Sequence, residues 1–280
     1  MSARPFIKYV GGKTQLLPTL LPLFPPKFKR YIEPFVGGGA VFFALAGENR
    51  FEEAVLNDWN AELVLLYAIV KLEPAALMRA LDEIEAQYVK QPSETYYTIR
   101  ALDLAAMSEV AQAARFIALN KMGFNGLYRV NKAGKFNVPW GKKEKVSTYD
   151  EANIRDCSAA LHLATVFEGD FSHVMDRAVE GDVIYLDPPY LPISATSDFT
   201  AYTARGFDVF AHERLANVAE AAAKRGALVI ASNSDHAEVR CLYEARGFSV
   251  TEVLAKRNVN SVGDGRGKIK ELVFVKDGRP

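Results

Sequence analysis

Cysteine and histidine are scarce in this chain. Its 280 residues hold two cysteines, Cys157 and Cys241, and four scattered histidines, His162, His173, His212 and His236. None of them stands at metal-ligand spacing, which argues against a structural zinc site and against a disulfide framework. Long apolar runs are missing too. Nothing approaches the ~20 residues of a membrane span, and Met1 to Lys8 has no apolar core of the kind a secretion signal carries. Net charge is zero, with 34 basic residues against 34 acidic ones, so the chain as a whole has no pull on a polyanion. What remains is 49% apolar and 24% charged, a globular composition without repeats or low-complexity tracts. The expectation is a soluble cytoplasmic protein that uses no metal, built as one large domain or one domain carrying an insertion.

Charge is balanced in total but not in distribution. Arg115, Lys121, Arg129, Lys132, Lys135, Lys142, Lys143 and Lys145 face a single Glu144, and Lys256, Arg257, Arg266, Lys268 and Lys270 face Asp264. A charge run is ordinarily a solvated face, yet two of them on a neutral chain suit a surface that tracks phosphates.

Along the chain, Tyr31 to Phe35 reads as a strand, Val36-Gly37-Gly38-Gly39 as a glycine turn, and Ala40 to Ala46 as a helix. Glu53 to Leu56 reads as a second strand, followed by Asp58 about 20 residues past the glycines, where an acidic side chain can accept from ribose hydroxyls. That order opens a nucleotide-binding α/β unit and points to an adenosine-containing cofactor. Gly11-Gly12-Lys13 precedes an apolar, helix-like run from Thr14 to Leu21 but lacks phosphate-loop spacing.

From Ala61 to about Tyr149 the spacing is helical: Ala61 to Val70, Pro74 to Val89, Ser93 to Leu104 and Ser108 to Met122. Gly/Asn-rich loops with aromatics and basic residues close this segment, with a short hairpin around Lys132-Ala133-Gly134. Such a mixture suits contact with bases and phosphates better than core filling. A helix (Asp150 to Ala164) then leads back to strand candidates at Thr165 to Glu168, Val183 to Leu186 and Ala227 to Ala231, with a crossover helix from Ala211 to Arg225. Phe248 to Leu254 and Leu272 to Val275 read as an antiparallel hairpin at the sheet edge.

The run Val183 to Leu186 ends abruptly in Asp187-Pro188-Pro189-Tyr190. Strand carboxyl ends face the ligand crevice of an open α/β sheet, and two prolines stiffen the turn while supplying no N–H. An exocyclic amino group of a nucleobase fits this turn. Asp187 and the Pro188 carbonyl can each accept one N–H, and Tyr190 can stack on the ring. Two acceptors out of the base plane favour a tetrahedral nitrogen and aim its lone pair at an electrophile. The plain alternative is a proline turn capping a core strand, with Asp187 merely solvated.

With these segments assembled, the chain resembles the DNA adenine N6-methyltransferases of the Dam type, which use S-adenosylmethionine. The likeness rests on Phe-Ile-Lys-Tyr-Val-Gly-Gly-Lys at residues 6–13, Glu-Pro-Phe-Val-Gly-Gly-Gly-Ala-Val-Phe-Phe at 33–43, Asn-Asp-Trp-Asn at 57–60 and Gly-Phe-Asn-Gly-Leu-Tyr-Arg at 123–129. It continues through Gly-Lys-Phe-Asn-Val-Pro-Trp-Gly at 134–141, Asp-Pro-Pro-Tyr and Ser-Ala-Thr-Ser-Asp-Phe-Thr-Ala-Tyr at 194–202. The resemblance implies a Rossmann-like seven-stranded sheet formed by residues 1–61 and 150–280, with a helical target-recognition domain inserted at 62–149.

It further implies that Tyr9, Lys13, Phe35, Asp58 and Asp187 touch the cofactor, that Gly37, Gly38 and Gly39 lie beneath its methionine part, and that Asp170 and Phe171 flank its adenine. Asp187, Pro188, Pro189 and Tyr190 form the catalytic turn. On double-stranded DNA, Phe124 enters the duplex near the flipped adenine with Asn125 on the backbone, Arg129 reads the last pair of GATC, Leu127 and Pro139 flank the thymine, and Lys8 meets the first guanine. Lys142 and Lys143 stand where the family's namesake has Arg-Tyr, so readout of the first pair departs from the pattern. The family is commonly monomeric in isolation. Adenine in another DNA motif or in RNA, cytosine N4, and a silent DNA-binding protein stay open as alternatives; protein-amide methylation fits less well, since those enzymes show Asn in place of Asp187.

Overall fold

The structure is a computed structural model that describes residues 3–131, 133–191, 207–256 and 268–279. Its sheet is built around β4 (Val183–Leu186), in which every side chain is buried. A strand buried on both faces needs neighbours on each side and layers above and below. On one side lies β1 (Arg30–Glu33), parallel, with Tyr31 opposite Val183; on the other lies β5 (Leu228–Ser234), also parallel, with Ile184 opposite Val229. Further strands are β2 (Glu53–Asp58), β3 (Ala164–Glu168), β6 (Ser249–Lys256) and β7 (Lys268–Asp277). The sheet order is β3-β2-β1-β4-β5-β7-β6, with β7 antiparallel to both of its neighbours. The expected seven-stranded α/β sheet with an antiparallel edge is thus present. Its order reverses between β1 and β4, and that switch point is where the carboxyl ends open a ligand crevice.

Two compact units make up the chain: Met1–Gly12, Gly37–Glu48 and Asp58–Glu168, and separately Lys13–Val36, Asn49–Asn57 and Gly169–Pro280. In the second unit, α1 (Leu17–Leu20) is a fragment of the expected Thr14 to Leu21 run, continued by a 3-10 turn at Leu21–Leu23. Pro18 and Pro22 remove the N–H groups a longer helix needs. A short helix at Ser172–Met175 (numbered α8 below), unforeseen from the sequence, follows Asp170 and Phe171. A long helix at Val209–Lys224 (α9) is capped by Asp208, which accepts from the Ala211 N–H, and buries Leu215, Ala216, Ala219, Ala222 and Ala223. Alanines at this spacing let a helix lie close on the sheet, where an added side chain costs ~1–3 kcal/mol of overpacking. Ile184, Leu186, Val229, Leu272 and Phe274 complete this core; each such aliphatic contributes ~1.5–3 kcal/mol. Ala237–Glu244 (α10) buries Val239 and Tyr243.

The first unit is helical. It contains α2 (Ala40–Gly47), α3 (Ala61–Leu72), α4 (Pro74–Tyr88), α5 (Pro92–Ala101), α6 (Glu109–Met122) and α7 (Glu151–Leu161). Asn60 caps α3 by accepting from the Glu62 and Leu63 N–H groups, and Ser108 caps α6. Tyr88, Tyr96, Ile99, Leu119 and Met122 form its core cluster, and α6 is buried along most of its length.

One expectation fails here. Arg115, counted with the basic run, is 4% exposed; it pairs with Glu62 at 3.3 Å and donates to the Ile99 and Arg100 carbonyls. It belongs to the core and cannot track phosphates. The expected hairpin is present, with Val130 bridged to Phe136 and Asn131 accepting from the Ala133 and Lys135 N–H groups. Arg257, Arg266 and the Ser194 to Tyr202 segment lie outside the described residues.

Candidate active site

Asp187 follows β4 directly, at the switch point, and its carboxylate is 18% exposed. Lys13 Nζ, on a side chain 5% exposed, lies 2.8 Å from Asp187 Oδ1 and 4.8 Å above the centre of the Tyr190 ring. Ser232 Oγ stands 3.4 Å from the same oxygen and is itself bonded to Tyr185 Oη at 2.6 Å. Burial pushes the Asp187 carboxyl above its usual range, opposed by Lys13, Tyr190 and Ser232. Tyr190 Oη donates to Glu271 Oε2 at 3.0 Å. Pro188 is buried, and among the described residues no donor is bonded to its carbonyl. Beside the turn, burial draws the His212 imidazole down to about 4, with the Pro189 backbone pulling the other way, so it stands neutral at pH 7. Among the described residues the turn therefore offers one carboxylate, one carbonyl without a bonded donor and one ring held at its far end.

Phe35, Asp170 and Phe171 form a second group. The rings of Phe35 and Phe171 lie 5.5 Å apart, and Phe207 packs on both. Arg214 reaches from α9 to grip both oxygens of Asp170, at 2.7 and 2.5 Å, while its guanidinium lies 4.1 Å above the Phe171 ring. The Arg214 and Ser172 hydrogen bonds hold the Asp170 carboxyl well below the usual range, against its burial.

The glycine turn makes a third group. Asp58 accepts from the Gly37 N–H through one oxygen and from the Asn60 N–H through the other, both at 3.0 Å. Tyr67 Oη donates to the Gly37 carbonyl, and Asn60 Nδ2 donates to Tyr9 Oη. Gly37 and Gly39 both have positive φ, and a Cβ would stand 3.1 Å from the Tyr9 ring at Gly37 and 2.6 Å from Tyr67 Oη at Gly39. Only glycine fits either position without strain. Burial raises the Asp58 carboxyl, and the Asn60, Gly37 and Trp59 N–H groups oppose the shift.

The residues expected on DNA gather around the end of α6. Buried Asn120 accepts from the Lys8 N–H and donates to the Lys8 and Gly126 carbonyls, at 3.0, 2.7 and 2.8 Å. Phe124 is 48% exposed and its N–H donates to the Pro139 carbonyl, so it is no core residue. Asn125 and Lys142 both adopt positive φ, at 54° and 55°. Leu127 is half-buried, while Pro139 is exposed. Arg129 is exposed, with Nε donating to Asn137 Oδ1 at 2.7 Å. Lys143 Nζ donates to the Lys121 carbonyl at 2.5 Å; burial and then Lys8 lower its pKa.

Sequence reasoning did not single out Asn60, Asn120, Asn137, Arg214, Ser232 or Glu271. Asn60 was legible as the cap before an apolar helix; the others carry no local signal. Among the described residues no group of three or more His, Cys, Asp or Glu could hold a metal ion, and no helix is long and apolar enough to cross a membrane.

Comparison with known proteins adds the family. The model for the D12 class of N6 adenine-specific DNA methyltransferases matches residues 9–259. A type II methyltransferase, M.MjaIII of Methanocaldococcus jannaschii, is 38% identical over 290 residues, covering 98% of this chain and 99% of its own. A DNA adenine methylase of Vibrio cholerae is 35% identical over 275 residues, covering 97% and 95%, and one of Escherichia coli is 34% identical over 274, covering 97% and 95%.

Proposed function

The chain belongs to the D12 class of N6 adenine-specific DNA methyltransferases, and from that premise we propose that it methylates N6 of the adenine in GATC, in duplex DNA, with S-adenosylmethionine as donor. Membership makes it an adenine-specific DNA methyltransferase with a methyl donor; the choice of donor, the target and the flipped base are our reading. In this reading residues 62–149 serve as target-recognition domain and the rest as catalytic domain. The protein acts as a monomer.

The residues present fit the donor. Gly37 and Gly39 let the backbone turn tightly against Tyr9 and Tyr67, where no Cβ would fit, and Asp58 is a carboxylate with a lone pair beyond the three N–H groups that oppose its burial. Tyr9, Phe35, Gly37, Gly38, Gly39, Asp58, Asp170 and Phe171 would hold it. When bound, it supplies a methyl already activated by a sulfonium charge, so neither a metal nor a strong base is required. The target adenine leaves the stack at a cost of a few kcal/mol and rests on Tyr190. Asp187 and the Pro188 carbonyl each accept one N6–H, turning the nitrogen lone pair towards the methyl, which is an orientation effect. Asp187 also stabilises the positive charge the nitrogen gains.

Lys13 and Asp187, both also expected on the cofactor, pair at 2.8 Å, and the lysine's charge opposes the burial that raises the Asp187 carboxyl. The observation that carries the reading is this half-buried, lysine-braced carboxylate at the mouth of the switch point. Tritiated-methyl transfer to double-stranded DNA, single-stranded DNA and RNA tests the substrate, and methylation-sensitive sequencing of DNA from expressing cells tests the motif. Saturation of another adenine motif with GATC untouched would leave the chemistry and overturn the target.

A further inference from the structure

We propose that Glu271 is a positioning residue for the methyl transfer, acting through the Tyr190 hydroxyl; this rests on the reading that Tyr190 receives the target base. Glu271 sits on β7, opposite Ser234 of β5 and Val253 of β6, two strands from β4 in the sheet order. It is 81 positions from Tyr190 in sequence, yet its Oε2 accepts the Tyr190 hydroxyl at 3.0 Å. Successive strand residues point to opposite faces. Its neighbour Lys270 turns to solvent and pairs with Glu252 at 2.9 Å, whereas Glu271 turns inward.

A half-buried carboxylate is costly, and burial pushes the Glu271 carboxyl above its usual range, with Lys13 opposing the shift. The direct bond to Glu271 is that of the tyrosine hydroxyl, while Lys13 pairs with Asp187. A bond at the far end of the ring fixes its swing about the Cα–Cβ axis. Lys13 lies over one face, at 4.8 Å, and in this proposal the planar guest takes the other. Ring direction then sets where N6 falls between Asp187 and the Pro188 carbonyl, and small errors of placement are expensive in rate.

The test is a double-mutant cycle on kcat and KM with a GATC duplex, using Y190F, E271A, E271Q and the doubles. Y190F and E271A should each lower kcat by about tenfold, the loss of one hydrogen bond to a charged group, with the KM for DNA little changed. The Y190F/E271A double should fall no further than Y190F alone, because Glu271 acts only through the hydroxyl that Y190F removes. E271Q keeps an acceptor and should lose less, about threefold. In the Y190F background that change should have no effect. A carboxylate that only supports the sheet would lower thermal stability and give the same loss with or without the hydroxyl, so losses that multiply in the double overturn the proposal. If E271A does not fold, the Y190F/E271Q arm decides by the same rule. Wild-type transfer is the separate control: no transfer to any DNA refutes the methylation reading itself, while active wild type with multiplying losses refutes only the role of Glu271.

Discussion

The Asp187 turn and the Gly123–Gly141 loop pair are the two places where this chain meets its substrates in the proposed reaction, and they are built on opposite principles. At the turn, charge is buried and compensated: Lys13 on Asp187, Glu271 on Tyr190, Ser232 on both Tyr185 and Asp187. In the loops the backbone is pinned by buried Asn120, while the ends of Phe124, Arg129 and Lys142 stand in solvent. Chemistry needs groups that do not reorganise as charge moves, so the turn is braced. Reading a sequence needs reach, so Phe124 and Lys142 are fixed at their roots and Arg129 is aimed by Asn137. Damage should therefore be all-or-nothing at the turn and graded in the loops.

The largest effect expected is at Asp187. Asp187→Ala should cut kcat by about 10³-fold or more. It also leaves the Lys13 amine buried without its carboxylate, and breaking a buried pair costs up to ~3–5 kcal/mol. Calorimetry should show a lower melting temperature, and near wild-type turnover would sink the proposed role. Asp187→Asn keeps one acceptor and should lose most of the rate.

Lys13→Met comes next, with a loss of about 10²-fold at neutral pH from misplacement of Asp187. Its sharper signature is in pH. The reacting form is the carboxylate, so activity falls as pH drops through the Asp187 pKa, which burial already holds above the ordinary ~3.9. Removing Lys13 removes a positive charge that lowers that pKa and leaves Asp187 facing Glu271. The acid limb of kcat/KM should move to higher pH. An unmoved limb would separate the lysine from the carboxylate.

The contrast also explains what was legible in the sequence. β4 and its turn were, because an apolar run stopped by Asp-Pro-Pro-Tyr is a local signal. So was the helical stretch from Ala61, by periodicity. The Arg115 error came from reading charge along one dimension: at helical spacing Arg115 shares its side of α6 with Ala118, Leu119 and Met122, all buried. Glu271 could not be found, since a glutamate in an edge hairpin looks like any solvated strand residue until the sheet brings it to Tyr190. The apolar run after Lys13 misled for a plainer reason, its two prolines.

In the loops, Arg129→Ala should cost ~1–3 kcal/mol of selectivity at the last position of GATC and relax that position alone. Asn137→Ala removes the acceptor that aims the guanidinium, leaving only the weaker bond to the Asn137 carbonyl at 3.3 Å. It should relax the same position by less, ~0.5–1.5 kcal/mol. Equal loss at every position, measured with single-mismatch duplexes, would make Arg129 a phosphate contact.

The smallest effect is expected at Lys142, and it is the cleanest probe of the loop's charge. Its amine is exposed and, among the described residues, has no partner, unlike that of Lys143, which is tied to the Lys121 carbonyl. Its backbone stands at φ 55°, a conformation as strained for alanine as for lysine, so Lys142→Ala changes charge without changing backbone cost. If Lys142 meets a phosphate, binding should weaken by about the same factor on GATC and on unrelated duplexes. The slope of log affinity against log salt should become shallower by about 0.9, one released counterion. If it reads the first guanine instead, affinity for GATC should fall while affinity for unrelated DNA holds. Titration of both duplexes at two salt concentrations separates the outcomes, and a change confined to GATC would move Lys142 from the braced backbone's margin into the set of residues that read bases.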